Sequence, residues 1–227
     1  MLPFRHVGGP NHGQWIGLVD TIYGFAMTLM IININTTLGE ISKDLGHLPN
    51  ANIQSFILIS FLDYVASFLI LYEIWCFHKT ILLASSNPAQ RLQSQTTAAL
   101  LVIVAILPAY AVSRYNLDIK LSLLEPASQL FITRLPHPFY VFSILAIVYG
   151  LLAALARFHA AGGNHMVLEL CRRSALRRCF ISIAIFLLSL LAYSFHYNWL
   201  RVCYWLMGYI ILSFQQDQIF RIKSSQE

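Results

Sequence analysis

Among the polar side chains within the first two long apolar stretches of the sequence are five whose chemistry needs an explanation: Asp20, Asp63, Ser67, Glu73 and His78. A carboxylate or an imidazole in apolar surroundings can relay protons, lie beside an ion path or bind a polar group on a neighbouring helix. The sequence contains no nucleophile–base arrangement, metal-ligand spacing, phosphate-binding loop or nucleotide-binding motif. It therefore predicts no enzyme activity, no cofactor and no bound metal.

The first apolar stretch has two different faces if it is helical. Successive residues of an α-helix are rotated by about 100°. Phe25, Leu29 and Ile32 then form one apolar stripe, to which Thr28 adds a hydroxyl. Asp20 lies about 140° from Phe25 by the same geometry. We therefore expect the acid and the stripe to face different neighbours.

The second apolar stretch is divided in a similar way. Asp63, Ser67 and His78 share one helical face, whereas Glu73 lies about 80° away from it. A carboxylate and an imidazole on adjacent helices can satisfy each other's hydrogen bonds, so we expect Asp20 to contact His78. Such a contact either fixes helix packing or takes part in transport, and the residues leave both interpretations open.

Composition indicates where these polar groups lie. The chain has 227 residues, of which 57% are hydrophobic and only 11% are charged, whereas soluble domains carry about 25% charged residues. Apolar segments of about 20 residues, the length that crosses a bilayer, recur along the chain. We predict a single all-α, polytopic domain over residues 1–227, surrounded by the lipid bilayer. Its six spans are expected at roughly 15–38, 54–80, 95–115, 138–158, 176–197 and 199–219.

Positive charges indicate the orientation of the spans. Lys and Arg are concentrated in the N-terminus, the second and fourth loops and the C-terminus, so the positive-inside rule places both termini in the cytoplasm of a cell membrane protein. The strongest signal is the segment CRRSALRR, residues 171–178, expected in the fourth loop. It serves either as a topology signal or as a contact for anionic lipids. The net charge of +5 therefore needs no nucleic-acid partner to explain it.

These two apolar stretches resemble the signature helices of the transmembrane-protein-175 family of potassium channels. The first stretch matches through Asp20, Ile22, Tyr23, Gly24, Ala26, Thr28, Leu29 and Asn33–Ile34. The second matches through Tyr64, Ser67, Phe68, Trp75 and His78. Pro108 stands where family members carry a proline in the third helix. The resemblance covers about the first half of the chain, and it adds Trp75 to the expected interhelical polar network of Asp20, Asp63, Ser67 and His78.

The resemblance implies a homotetramer with the first helix of each subunit around a central axis. Potassium or other monovalent cations would then pass an apolar constriction, which gates by dewetting instead of using a carbonyl filter. The stripe of Phe25, Thr28, Leu29 and Ile32 is the expected constriction. Because Phe25 stands where the family usually has isoleucine, we expect a tighter pore. A potassium-preferring cation channel is therefore the leading hypothesis.

Departures from the family pattern favour two alternatives. Gln14 stands in place of the family's arginine, and Leu18 and Val19 stand in place of its Phe-Ser pair. These losses favour a non-conducting signalling or scaffold protein on the same fold. Glu73 stands where the family has an apolar residue. A proton-conducting variant would use four residues: Asp20, Asp63, Glu73 and His78.

Overall fold

The fold is a bundle of helices, seen in a computed structural model that describes residues 12–44, 50–85, 93–107, 137–160 and 163–194. These residues form α1 (His12–Asp44), α2 (Asn50–Ala84), α3 (Gln93–Leu107), α4 (His137–His159) and α5 (His165–Ser194). Four of the helices contain an apolar segment long enough to cross a bilayer: Gly13–Ile32, Ser67–Ala84, Val141–His159 and His165–Leu191. The prediction of an all-α, multi-pass membrane protein is confirmed.

Most of the predicted spans coincide with helices. α1 and α2 extend at both ends beyond the predicted spans 15–38 and 54–80, and α4 matches 138–158 to within one residue at each end. The helix α3 contains the beginning of the third predicted span. Pro108 and the sixth predicted span, 199–219, lie outside the described residues.

The basic segment 171–178 lies in a helix and not in a loop, so the prediction from charge is wrong on this point. It is part of α5, which begins at His165 instead of near residue 176. The segment is helical because one of its faces is apolar: Leu168, Cys171 and Ala175 follow one another at helical spacing and are fully buried. Burial of this face outweighs the preference of the neighbouring arginines for solvent.

α4 and α5 form a helical hairpin whose connection is attached to the end of α2. The backbone N–H of Asn164 donates to the carbonyl of Ala84 at 2.9 Å, and Gly163 forms an isolated antiparallel bridge with Ser85. A Cβ atom at Gly163 would collide with the backbone of Ala84, so this close approach requires glycine. The side-chain oxygen of Asn164 accepts from the Val167 N–H at 3.4 Å and caps the start of α5.

α2 is the central element of the described bundle. It packs against α1, α4 and α5, while α4 and α5 pack against each other along their length. The core contains fully buried side chains from all five helices, among them Val19, Ile74, Leu100, Leu152 and Leu168. Because a bilayer provides no hydrophobic drive between helices, close packing and polar contacts must hold the bundle together. The polar contacts of α2 therefore form the candidate functional site.

Candidate functional site

A polar contact around Asp20 holds α1 against α2. The carboxylate accepts a hydrogen bond from the indole N–H of Trp75 at 2.7 Å and another from Lys79 Nζ at 2.9 Å. Trp75 and Lys79 share a face of α2 because they are four residues apart, and the ammonium lies 4.8 Å from the centre of the Trp75 ring. Asp20 is 37% exposed and Lys79 32%. The acid thus has a counter-charge and a second donor at a half-buried site.

His78 has a different partner, so the expected contact between Asp20 and His78 is wrong. The Nδ1 atom of His78 lies 3.3 Å from the hydroxyl of Tyr23, and the two rings meet edge to face with centroids 5.9 Å apart. Both side chains are buried. The rotation of α2 about its axis brings Lys79, the next residue along, to the acid. Sequence reasoning missed Lys79, although its spacing of four residues from Trp75 was a usable signal.

The predicted interhelical network of five residues is assembled only in part among the described side chains. Asp20 and Trp75 are in direct contact, and His78 joins Tyr23 one turn further along α1. Ser67 is buried on α2. Asp63 also lies on α2, but its side chain is outside the described part of the structure. The role of this network as a unit stays a prediction.

The opposite face of α1 carries the residues expected at the constriction. Phe25 is 62% exposed and Ile32 is 52% exposed, Thr28 is exposed, and Leu29 is half-buried. The Thr28 hydroxyl donates to the carbonyl of Gly24 at 2.8 Å within the same helix. The face toward α2 is buried through four residues: Val19, Tyr23, Ala26 and Met30. Among the described residues, the stripe therefore lies on the more exposed face of α1.

A second charged contact is buried where α2, α4 and α5 meet. Arg178 Nε donates to Glu73 Oε1 at 2.5 Å, and the two side chains are 0% and 1% exposed. The Tyr149 hydroxyl donates to Glu73 Oε2 at 3.3 Å. Arg178 also donates to Ser174, and its guanidinium carbon lies 4.7 Å from the centre of the Phe77 ring. Removing two charges from water costs several kcal/mol per ion, and these partners offset that cost.

Sequence reasoning did not find this buried ion pair. Glu73 was assigned to a possible proton path, and Arg178 to a basic loop. The two residues are 105 positions apart, and no periodicity connects them. The usable signal was the isolated acid in an apolar span, which requires a basic partner somewhere in the bundle.

Polar contacts also join the ends of α2, α3 and α4. Ser85 Oγ lies 2.6 Å from His159 Nδ1, and Gln93 Nε2 donates to the carbonyl of Phe158 at 3.1 Å. These contacts fix the end of the bundle at which α5 begins. Within the described ranges, no group of three His, Cys, Asp or Glu residues is placed to hold a metal ion.

Residues 15–108 match a family model described as endosomal/lysosomal potassium channel TMEM175. The fold is similar to the crystal structure of a lysosomal potassium-selective channel TMEM175 homolog from Chamaesiphon minutus, with a TM-score of 0.67 and 17% sequence identity. That similarity covers 90% of this chain and 97% of the other. Residues 15–108 are thus similar to the TMEM175 family, and the fold is similar to that of the solved relative.

The TMEM175 match has a definite extent. The family model spans α1, α2 and α3, so it includes Asp20, the stripe beginning at Phe25, and the residues Trp75 and His78. Over α4 and α5 the likeness is one of fold, because the overall identity is only 17%. TMEM175 is a channel family and not an enzyme family. No curated protein gives a significant match to the chain.

The pair of Asp20 and Lys79 is expected to couple α1 to α2 measurably. A double-mutant cycle of Asp20→Asn and Lys79→Met should give a coupling energy of about 1 kcal/mol, because the pair is half exposed and its charges are partly screened. Thermal unfolding of the four proteins in detergent, followed by circular dichroism, measures it. Asp20→Asn combined with Arg157→Met is the matched control. A coupling energy as small as the control's would show that the contact does not fix α1.

Proposed function

We propose that the protein is a potassium-preferring cation channel whose ion path is lined by α1. The observation that carries this proposal is the uncovered stripe on α1, with Phe25 62% and Ile32 52% exposed while the opposite face is buried against α2. One face fixes the helix to its own subunit, and the other is available to copies of α1 from other subunits. The family model and the solved relative are both described as potassium channels, which supports the proposal.

The stripe has the properties that an apolar gate requires. Phe25 and Ile32 are seven residues apart on α1. The Phe25 side chains of all the subunits would therefore form one ring around the path, and the Ile32 side chains a second ring about 10 Å away. Thr28 lies between them. Its hydroxyl hydrogen is donated to the Gly24 carbonyl, which leaves the oxygen lone pairs to accept a passing cation. A narrow apolar ring loses its water readily, so the ring at Phe25 would control conduction.

The path requires a homotetramer with α1 of each subunit around the axis. In an isolated chain the stripe would face lipid, and no path would be enclosed. We therefore expect native mass spectrometry of the purified protein to give four times the mass of the 25.8 kDa chain. A monomer or a dimer as the largest species would contradict the enclosed path.

A flux assay in proteoliposomes tests the channel itself. Vesicles with the purified protein should show potassium flux above that of empty vesicles and above the sodium flux measured under the same gradient. Equal potassium and sodium fluxes would contradict the preference for potassium. If neither the natural chain nor a variant with a smaller residue at position 25 conducts, the non-conducting alternative is favoured. The bulk of the Phe25 ring supports that alternative.

A proton-conducting function is the remaining alternative. The contacts of its acids weaken it, because Asp20 is bound to Lys79 and Trp75 and Glu73 is bound to Arg178. The same vesicles under a proton gradient distinguish the two functions. Proton flux that is abolished by Asp20→Asn or by His78→Ala, with potassium flux unchanged, would support a separate proton path.

We also propose that both termini lie in the cytoplasm of a cell membrane protein. The arginines of the segment 171–178 support this orientation even though they lie on α5, because positive charge at one end of a span favours the cytoplasmic side. A fluorescent protein fused to the C-terminus should fluoresce, and alkaline phosphatase fused at the same position should be inactive. The reverse pair of results would invert the topology.

A further inference from the structure

We propose that the hairpin of α4 and α5 carries a binding surface for the headgroups of anionic phospholipids. Four arginines define this arginine surface: Arg157 on α4, and Arg172, Arg173 and Arg177 on α5. The surface does not include the stripe of α1 or the buried Arg178. The proposed lipid site is therefore independent of the proposed channel function.

The charge of the arginine surface is only partly compensated. Glu169 accepts two hydrogen bonds from Arg172 and one from Arg173, each at 2.8 Å. One carboxylate thus serves two guanidinium groups. Arg157 and Arg177 are exposed and form no ion pair with any described residue. The surface keeps a net positive charge and several free N–H donors, which match the oxygens of a phosphate.

The arginine surface lies at one end of the membrane-spanning part of the hairpin. α5 has 30 residues and is about 45 Å long, whereas the hydrocarbon core of a bilayer is about 30 Å thick. From Cys179 onward α5 contains no charged residue, and the thiol of Cys179 lies 3.3 Å from the carbonyl of Ala146 on α4. From this level both helices run toward the connection at residues 160–164, so Arg157 and Arg172 lie toward the same end. Their long side chains can reach the headgroup layer.

The exposed face of α5 on the C-terminal side of the arginines fits an acyl chain. Arg173, Arg177 and Phe180 follow one another at intervals of four and three residues and so share a face. The face continues with Leu187 and Leu191, and all five side chains are exposed. A phosphate bound to the arginines would place its acyl chains along these apolar residues. A lipid satisfies both parts of the face, whereas a free phosphate satisfies only the first.

The experiment compares lipid binding by native mass spectrometry. The natural protein, freed of lipid in detergent, is titrated with phosphatidylglycerol or with phosphatidylcholine of the same acyl chains. We expect phosphatidylglycerol to bind at least about tenfold more tightly than phosphatidylcholine, since each basic residue near an anionic headgroup adds to the affinity. The triple variant Arg157→Gln, Arg173→Gln, Arg177→Gln leaves the Arg172–Glu169 pair intact, and it should bind both lipids equally. The matched triple replacement by lysine keeps the charge and should retain most of the preference.

Two results would overturn the proposal. The first is equal binding of the two lipids by the natural protein, or an unchanged preference in the glutamine variant. The second is loss of the preference when millimolar inorganic phosphate is added, because the surface would then be a site for free anions. If the triple variant fails to fold, Arg177→Gln alone is used, and its affinity for phosphatidylglycerol should fall several-fold while that for phosphatidylcholine stays the same.

Discussion

Replacing Arg178 by methionine is expected to lower the free energy of unfolding by about 3–5 kcal/mol. Glu73 would keep its place in the core, 1% exposed, with the Tyr149 hydroxyl as its remaining partner among the described residues. An uncompensated buried charge is far more costly than the loss of a surface pair. Equilibrium unfolding in mixed micelles, followed by circular dichroism, measures the difference.

The double variant decides whether the cost comes from the orphaned charge. Glu73→Leu combined with Arg178→Met removes both charges and keeps most of the volume, so it should be within about 1 kcal/mol of the natural chain or more stable. Arg172→Met is the matched control, since Arg172 forms a partly exposed pair with Glu169 on the same helix. It should cost no more than about 1 kcal/mol. A double variant as unstable as Arg178→Met would contradict this account.

The buried ion pair also has a consequence for α1. Glu73 lies two residues before Trp75 and six before Lys79, so a short segment of α2 is bound to α4 and α5 through one face and to α1 through another. A shift of α5 at Arg178 would therefore be transmitted to the contact that holds Asp20. We expect variants of Arg178 to alter flux as well as stability, even though the residue is far along the chain from the stripe.

The variant Phe25→Ala is expected to raise potassium flux about tenfold, which corresponds to a barrier lowered by about 1.4 kcal/mol. Four phenyl rings around the axis would narrow the path and exclude water, whereas four methyl groups would leave room for a hydrated cation. Flux is measured in proteoliposomes at equal protein content. Phe25→Ile, whose side chain is intermediate in size, should give an intermediate rate.

Phe180→Ala is the matched control for this prediction. Phe180 is also an exposed phenylalanine, 68% exposed on α5. Its proposed neighbour is lipid, whereas that of Phe25 is another copy of α1. Its removal should leave flux within about twofold of the natural chain. Equal changes of flux in the two variants would place Phe25 on a lipid-facing side of α1. They would contradict its assignment to the constriction.

Much of the fold was predictable because the bilayer restricts the chain so strongly. The length and apolarity of the first, second and fourth spans identified α1, α2 and α4, and angular position separated Asp20 from the stripe at Phe25. The start of α5 was not predicted. The charge of its arginines predicts a loop, whereas the helix is held by a buried apolar face that includes Leu168 and Ala175. A count of charges shows neither the helical face on which a residue lies nor whether its side chain is buried.

The amino-acid pattern predicted the first apolar spans and the two faces of α1, because hydrocarbon sets the length of a span and the cost of each polar group within it. The tertiary structure decided which groups meet. It paired Asp20 with Lys79 and left His78 to Tyr23. It also joined Glu73 to Arg178 across 105 positions. Such pairs depend on the rotation and depth of each helix against its neighbours, and these are fixed by the packing of the whole bundle.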